Sequence, residues 1–347
     1  MPRYDAFLLV SFGGPEGPAD VIPFLENVTR GRGVPRERLA EVAEHYHRFG
    51  GVSPINQQCR DLLGALEKEF AASGAGLPLY WGNRNWDPLL ADTVAAMAAD
   101  GRRHAIAFAT SAYSSYSSCR QYLENIEQAR AQAGERAPRI DKLRPYFNHP
   151  GFIDPVADAV RVASESLGPV VRDGYDLVFT AHSVPEAMAA ASGPAGGDYP
   201  RQLAEASRLV AGQAGYSGSW RLAYQSRSGP PSVPWLGPDV KDCLTELARS
   251  GSAGVVLAPV GFISDHLEVV YDLDVEAAQH AARLGLPMAR ATTPGTDPRF
   301  VAMIAELVAE RQDGRPPRAL GDLGPAPGTC GPGCCGTGRP YRREAAE

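Results

Sequence analysis

Ala-Gly-Val-Val-Leu-Ala-Pro-Val-Gly-Phe-Ile-Ser-Asp-His-Leu-Glu-Val-Val-Tyr-Asp-Leu-Asp-Val-Glu, residues 253–276, reads as a strand, a loop and the start of a helix. The run 253–260 is apolar and β-rich, so 261–276 leaves the carboxyl end of a strand. Glu268, Asp272 and Glu276 then recur every four residues, which puts all three carboxylates on one face of a helix. Val269, Val270 and Leu273 fall on the opposite face, which would pack inward. Like charges at that spacing repel, so the row gives a helix no structural support. It reads either as a path for a hard or borderline divalent cation or as a solvated helix face.

The same alternation runs through the whole chain. Residues 6–12, 79–82 and 104–110 read as strands in the first half, and 176–181, 221–225 and 254–260 in the second. Helical patterns lie between them at 38–49, 54–72, 88–99, 119–133, 154–167, 199–214, 240–250, 275–284 and 298–311. Strands alternating with helices make an α/β fold with parallel sheets. Two halves of similar strand count predict two doubly wound, Rossmann-like domains facing each other across a cleft. The division expected is 1–150, 151–313 and a cysteine-containing tail, 314–347, with the last helix, 298–311, free to cross back to the first domain. From about Gly314, Pro and Gly dominate and periodicity stops, as in a tail or a loop that only a ligand orders.

Composition excludes several classes. The chain has 347 residues, 44% hydrophobic and 21% charged, which is ordinary for a globular protein of about two domains. Thirty-four basic against 40 acidic side chains leave a net charge of −6 and no reason to expect nucleic acid. No stretch approaches the roughly 18 apolar residues of a spanning helix. The opening run ends in Ser11-Phe12-Gly13-Gly14, a first strand and not a signal peptide, so the expected location is the cytoplasm.

Ligands of doubly wound sheets sit beyond the carboxyl ends of the strands. Strand one ends Ser-Phe-Gly-Gly-Pro-Glu-Gly (11–17), which is not a dinucleotide fingerprint, and Pro15 lacks a backbone donor. A Ser/Tyr-rich stretch, 110–119, follows the third strand and suits either a polar ligand wall or a capping loop. Phe-Thr-Ala-His-Ser-Val-Pro (179–185) ends a strand of the second half; neutral imidazole at His182 could ligate a metal or accept a proton. Thr-Arg-Gly-Arg-Gly-Val-Pro-Arg-Glu-Arg (29–38) stands out as basic, and Arg forks bind carboxylates, although an ordinary charged loop has the same composition. His45 and His47 are two apart on a helix and do not form a paired site.

Of six cysteines, Cys59, Cys119 and Cys243 are scattered, while Cys330, Cys334 and Cys335 stand as Cys-Gly-Pro-Gly-Cys-Cys. Adjacent Cys334 and Cys335 are badly placed to bridge. Three thiols on a Gly/Pro loop can wrap zinc or an iron–sulfur centre with a fourth ligand from the body, or remain free. The spacing is no standard zinc-finger signature.

Gly-Gly-Val-Ser-Pro (50–54), Thr-Ala-His-Ser-Val-Pro (180–185), Tyr-Gln-Ser-Arg (224–227), Pro-Trp-Leu-Gly-Pro-Asp-Val (234–240) and Gly-Phe-Ile-Ser-Asp-His-Leu-Glu-Val-Val-Tyr-Asp (261–272) together resemble ferrochelatase, in order, across roughly residues 6–311. The resemblance implies the chelatase fold, a porphyrin in the cleft and ferrous iron inserted with loss of two pyrrole protons. It implies that His182 and Glu268 flank metal and macrocycle, that Asp272 and Glu276 continue an acidic line, that Ser53 and Tyr122 contact the porphyrin and that Arg30 lies near a propionate. Phe12 stands where many bacterial relatives carry a metal-reaching Tyr, so it cannot ligate. Cys119, Cys330, Cys334 and Cys335 match one internal and three C-terminal ligands of a [2Fe–2S] cluster. A tail with cysteines and no hydrophobic extension resembles the coproporphyrin III branch. Protoporphyrin IX, another metal, or a non-catalytic haem- or metal-binding module remain as alternatives. Porphyrin and iron are the expected partners, with transient contact to neighbouring haem-pathway enzymes.

Overall fold

Uncharged apolar runs become strands buried end to end: all six residues of β1 (Ala6–Ser11) and all four of β7 (Val255–Ala258) are buried. The computed structural model describes residues 4–31, 33–74, 76–172, 174–229, 232–331 and 333–338. After β1 come α1 (Val21–Val28), α2 (Arg36–His47), α3 (Ile55–Ser73), β2 (Leu79–Asn83), α4 (Leu90–Ala99), β3 (His104–Ala109), α5 (Gln121–Ala133) and β4 (Arg139–Lys142). The second half runs α6 (Pro150–Ser166), α7 (Pro169–Arg172), β5 (Asp176–His182), α8 (Glu186–Ala190), α9 (Asp198–Gln213), β6 (Trp220–Gln225), α10 (Val240–Arg249), β7, α11 (Leu267–Val269), α12 (Ala278–Leu284), β8 (Met288–Arg290) and α13 (Pro298–Asp313).

All pairings within the two sheets are parallel, in the orders β2-β1-β3-β4 and β6-β5-β7-β8. The orders are equivalent strand for strand. In each, the winding reverses beside the first strand, between β1 and β3 and between β5 and β7. A crevice opens at such a reversal because the two flanking connections leave in opposite directions. His182 ends β5 and the loop at 259–266 leaves β7, so both flank the crevice of the second sheet.

Four features differ from the sequence reading. Helices α1, α7 and α8 have no counterpart in it. Edge strands β4 and β8 are short and partly charged, which hides them from a search for apolar runs. The helix expected at 275–284 begins earlier: α11 runs into a π-helix, Val270–Ala277, before α12. Finally, the stretch after Gly314 has no regular element, but the protein itself holds it. Leu320 N–H donates to the Asn148 carbonyl, and Asn148 Nδ2 donates to the carbonyls of Leu320 and Gly324. Buried Arg144 grips Glu310 of α13 through two nitrogens, at 2.8 and 2.9 Å, and donates to the Arg318 carbonyl. Helix α13 packs on both α3 and α6, tying the halves together. Residues 339–347 lie outside the described residues.

Candidate active site

Between the halves, α1 and α2 form a lid over the π-helix region. Leu267 packs among Val21, Phe24, Leu25, Leu39, Ala43 and Tyr46. His45 stacks on Tyr271 at 3.9 Å between ring centroids, nearly coplanar at 12°. Gln58 Nε2 donates to the Asp265 carbonyl and the Tyr113 hydroxyl to the Val260 carbonyl, the latter at 2.7 Å. A Cβ on Gly261 would lie 2.6 Å from Ala181 Cα, so only glycine lets this loop cross β5 so closely.

His182 is held at both ends. Its carbonyl accepts the Tyr199 hydroxyl, and its Nδ1 lies 2.5 Å from the Ser183 carbonyl. A carbonyl can only accept, so Nδ1 carries the hydrogen and neutral His182 keeps its lone pair on Nε2. That atom faces Glu268 Oε2 at 3.7 Å, too long for a hydrogen bond and short enough for an ion pair once the ring is protonated. Both side chains reach solvent, 35% and 51% exposed, so the gap between them is open to a ligand. Glu268 is anchored by its backbone: its N–H donates to His266 Nδ1 and its carbonyl accepts Gln225 Nε2.

Four residues on, the environment changes. Asp272 Oδ2 accepts the Ser226 hydroxyl at 2.5 Å and Gln225 Nε2 at 3.4 Å. Burial pushes its carboxyl up to about 6; Glu268 and Glu276 push the same way, while Ser226 and His182 oppose. Ser226 adopts φ +59°, one of two described non-glycine residues in the left-handed region. Glu276 is not an open carboxylate: Lys241 Nζ pairs with it at 2.9 Å. The three acids thus share one side of the helix but do not share one role.

A carboxyl that binds its proton more tightly when folded gives stability that is greatest below its unfolded value near 4. That stability declines as pH rises through about 6. Asp272→Asn should therefore raise stability at pH 7.5 by about 2–3 kcal/mol and leave it little changed at pH 4. Thermal unfolding at both pH values checks this, and equal shifts at the two would refute it.

The first half of the chain carries the other residues expected at the site. Ser53 is buried beside Gly14, where a glycine Cβ would come 2.6 Å from the serine Cβ, and its N–H donates to the Pro15 carbonyl. Phe12 is half-buried against Phe24. Tyr122 is buried, with its hydroxyl 3.5 Å from Thr110 Oγ1. One residue joins these two rings: the Arg84 guanidinium lies 5.7 Å from the Phe12 centroid and 4.6 Å from that of Tyr122, with Nε donating to Asn125. Arg84 had no role in the sequence reading, and Gln225 and Ser226 entered it only within the motif 224–227, with no role of their own. Arg84 follows β2, and its place at a strand end was the available signal. Arg30 lies exposed just beyond α1, Arg36 and Arg38 pair with Glu26 and Glu41, and Arg32 is outside the described residues.

Three of the six cysteines, one internal and two from the tail, gather in space. Cys119, Cys334 and Cys335 form a buried cluster, the last two sulfurs 3.8 Å apart. Gly193 N–H donates to Cys335 Sγ at 3.2 Å. Cys330 is exposed, yet with Cys119 it lines a cavity of about 200 Å³. A hydrogen bond from Cys335, helped by Lys142 and Arg120, draws the Cys119 thiol down to about 6 against its burial; burial and the neighbouring sulfurs push Cys330 up to about 12. Among the described residues, no three His, Cys, Asp or Glu side chains are gathered closely enough to hold a metal ion as they stand.

The ferrochelatase family model matches residues 4–312. Curated relatives include coproporphyrin III ferrochelatase of Nocardia farcinica, 56% identical over 99% of this chain and 98% of that one. The Streptomyces coelicolor protein of the same name is 54% identical over 96% and 93%, and Rhodopirellula baltica ferrochelatase 54% over 96% and 94%. Among solved structures, SirB from Bacillus subtilis with Fe³⁺ is similar in fold, with a TM-score of 0.52, 12% identity and coverage of 89% and 97%.

Proposed function

The chain belongs to the ferrochelatase family, and from that premise we propose that it inserts ferrous iron into coproporphyrin III, forming the iron porphyrin of haem biosynthesis. The reaction exchanges two pyrrole protons for one Fe²⁺, so the site must take up protons and deliver a dication to the same ring. The pair His182 and Glu268 carries this reading. The imidazole lone pair at Nε2 and the carboxylate of Glu268 face one opening across 3.7 Å. Nε2 takes a pyrrole proton; the imidazolium formed is then stabilised by Glu268, which also offers Fe²⁺ a hard oxygen donor. Asp272, with its carboxyl drawn up to about 6, can take up and release a proton just below neutral pH, which suits a proton relay next to Glu268. Lys241 neutralises Glu276 and leaves it the weaker candidate for an iron approach.

A flat macrocycle hides its nitrogen lone pairs, so a cleft that binds a distorted ring better than a flat one lowers the barrier. Ser53, Phe12, Tyr122 and Arg30 are assigned to the porphyrin wall, with Arg84 between two of them. The choice of coproporphyrin III rests on relatives of that name at 54–56% identity over nearly their whole length. Steady-state rates with Fe²⁺ under anaerobic conditions should favour coproporphyrin III over protoporphyrin IX; a strong preference for protoporphyrin would reverse the choice.

Cys119, Cys330, Cys334 and Cys335 would hold a [2Fe–2S] cluster. Thiols are the donors such a cluster takes; Cys119, Cys334 and Cys335 lie together and Cys330 lines the adjoining cavity with Cys119. A single ion needs all its donors in one sphere, whereas a two-iron cluster binds its thiolates in two pairs, so looser spacing is no objection. Such a cluster supplies one-electron chemistry and a clamp on the tail; its visible absorption in the purified protein tests for it. No helix among the described residues is long and apolar enough to cross a membrane. The working location is the cytoplasm, with transient contact to neighbouring enzymes of the pathway.

A further inference from the structure

We infer that Lys142 and the backbone amide of Gly193 set the electron affinity of the iron centre held by the tail cysteines. The inference rests on the cluster reading above. Lys142 ends β4, in register with Ala107 of β3. With Cys119 and Cys330 it lines the cavity of about 200 Å³ between β4, α5 and the tail.

Three other charged side chains line that cavity, and each is compensated. Arg144 is bound by Glu310 at 2.8 Å. Arg311 lies 3.7 Å from Asp141, which also takes the Tyr4 hydroxyl, His104 and Arg139. Lys142 differs: its Nζ donates to the neutral Leu143 carbonyl at 3.0 Å, and among the described residues it pairs with no carboxylate. Its positive charge is therefore the uncompensated one facing the thiols.

From the other side, Gly193 N–H donates to Cys335 Sγ at 3.2 Å. Gly193 sits at φ +78°, and a Cβ there would strike the Asp198 carboxylate, so the amide is held in place by a residue that cannot be replaced without distortion. Reduction adds an electron to an already anionic centre. A cation beside two sulfurs and an N–H aimed at a third both favour the reduced form and raise the potential, and a partly buried site screens them little.

The test uses full-length protein purified anaerobically with its cluster, titrated with dithionite while visible absorption and the reduced-state paramagnetic signal are followed. Lys142→Met keeps the aliphatic stem and removes the charge; its midpoint potential should fall below that of the unmodified protein. Lys142→Arg, which keeps the charge, should remain near it. A Lys142→Met protein with unchanged iron and sulfide content and an unmoved potential overturns the inference, as does one that cannot retain the cluster. Absence of acid-labile sulfide from the unmodified protein overturns the cluster reading itself, and the inference with it.

Discussion

His182→Ala should lower the rate of iron insertion by about 10²–10⁴-fold, the range a positioned proton acceptor contributes, while porphyrin affinity stays close to that of the unmodified protein. The separation of the two effects follows from the structure. His182 donates Nδ1–H to its own neighbour's carbonyl, and Tyr199 fixes its backbone, so the ring serves the fold little beyond its own orientation. Its Nε2 is directed at the opening shared with Glu268. Porphyrin binding, on the proposed assignment, would draw instead on Ser53, Phe12 and Arg84. Porphyrin binding followed by fluorescence quenching, alongside iron-insertion kinetics, distinguishes the outcomes. Full activity in the alanine protein would remove His182 from the reaction.

Glu268→Gln is expected to cost about 10²-fold or more in turnover, of the same order as loss of a preorganised charge at a reacting centre. The amide preserves shape and leaves intact the two backbone hydrogen bonds that seat residue 268, so a fall in rate reports charge and not folding. On the proposed roles, an imidazolium at His182 would lose its counter-charge without the carboxylate, and Fe²⁺ would lose an anionic donor. If the two residues act as one unit, the His182→Ala, Glu268→Gln double variant will be little worse than the poorer single one. Multiplicative losses would mean that they serve independent steps. Wild-type turnover in Glu268→Gln would assign the proton and metal work to Asp272 instead.

Much of this site is visible in local sequence because its parts lie at strand ends. His182 closes an apolar run and precedes Ser-Val-Pro, and Glu268 follows the next apolar run by a short loop. Period-two and period-3.6 patterns locate such positions, since burial of a strand or helix face is a local property of the chain. The acid row was legible as a row for the same reason. Its division was not. Asp272 differs from Glu268 because Gln225 and Ser226, 46 or 47 residues earlier, meet it in space, and Glu276 differs because Lys241 does. The π-helix was also hidden: its buried Leu273 and Ala277 pack with residues of β5, β6 and β7 and its Tyr271 stacks on His45, partners distant in the chain.

The chain's own order of apolar runs determined six of the eight strands, the alternation of strands with most of the helices and the strand ends where chemistry could stand. Which side chains meet there was decided by tertiary structure: Arg84 against Phe12 and Tyr122, Asp272 beneath Ser226, and a tail without periodicity strapped down by Asn148 and Arg144. The physical reason is one of range. Hydrophobic patterning acts over a few residues, whereas the charge, burial and hydrogen bonding that give a carboxylate or thiol its character come from neighbours that only folding brings near.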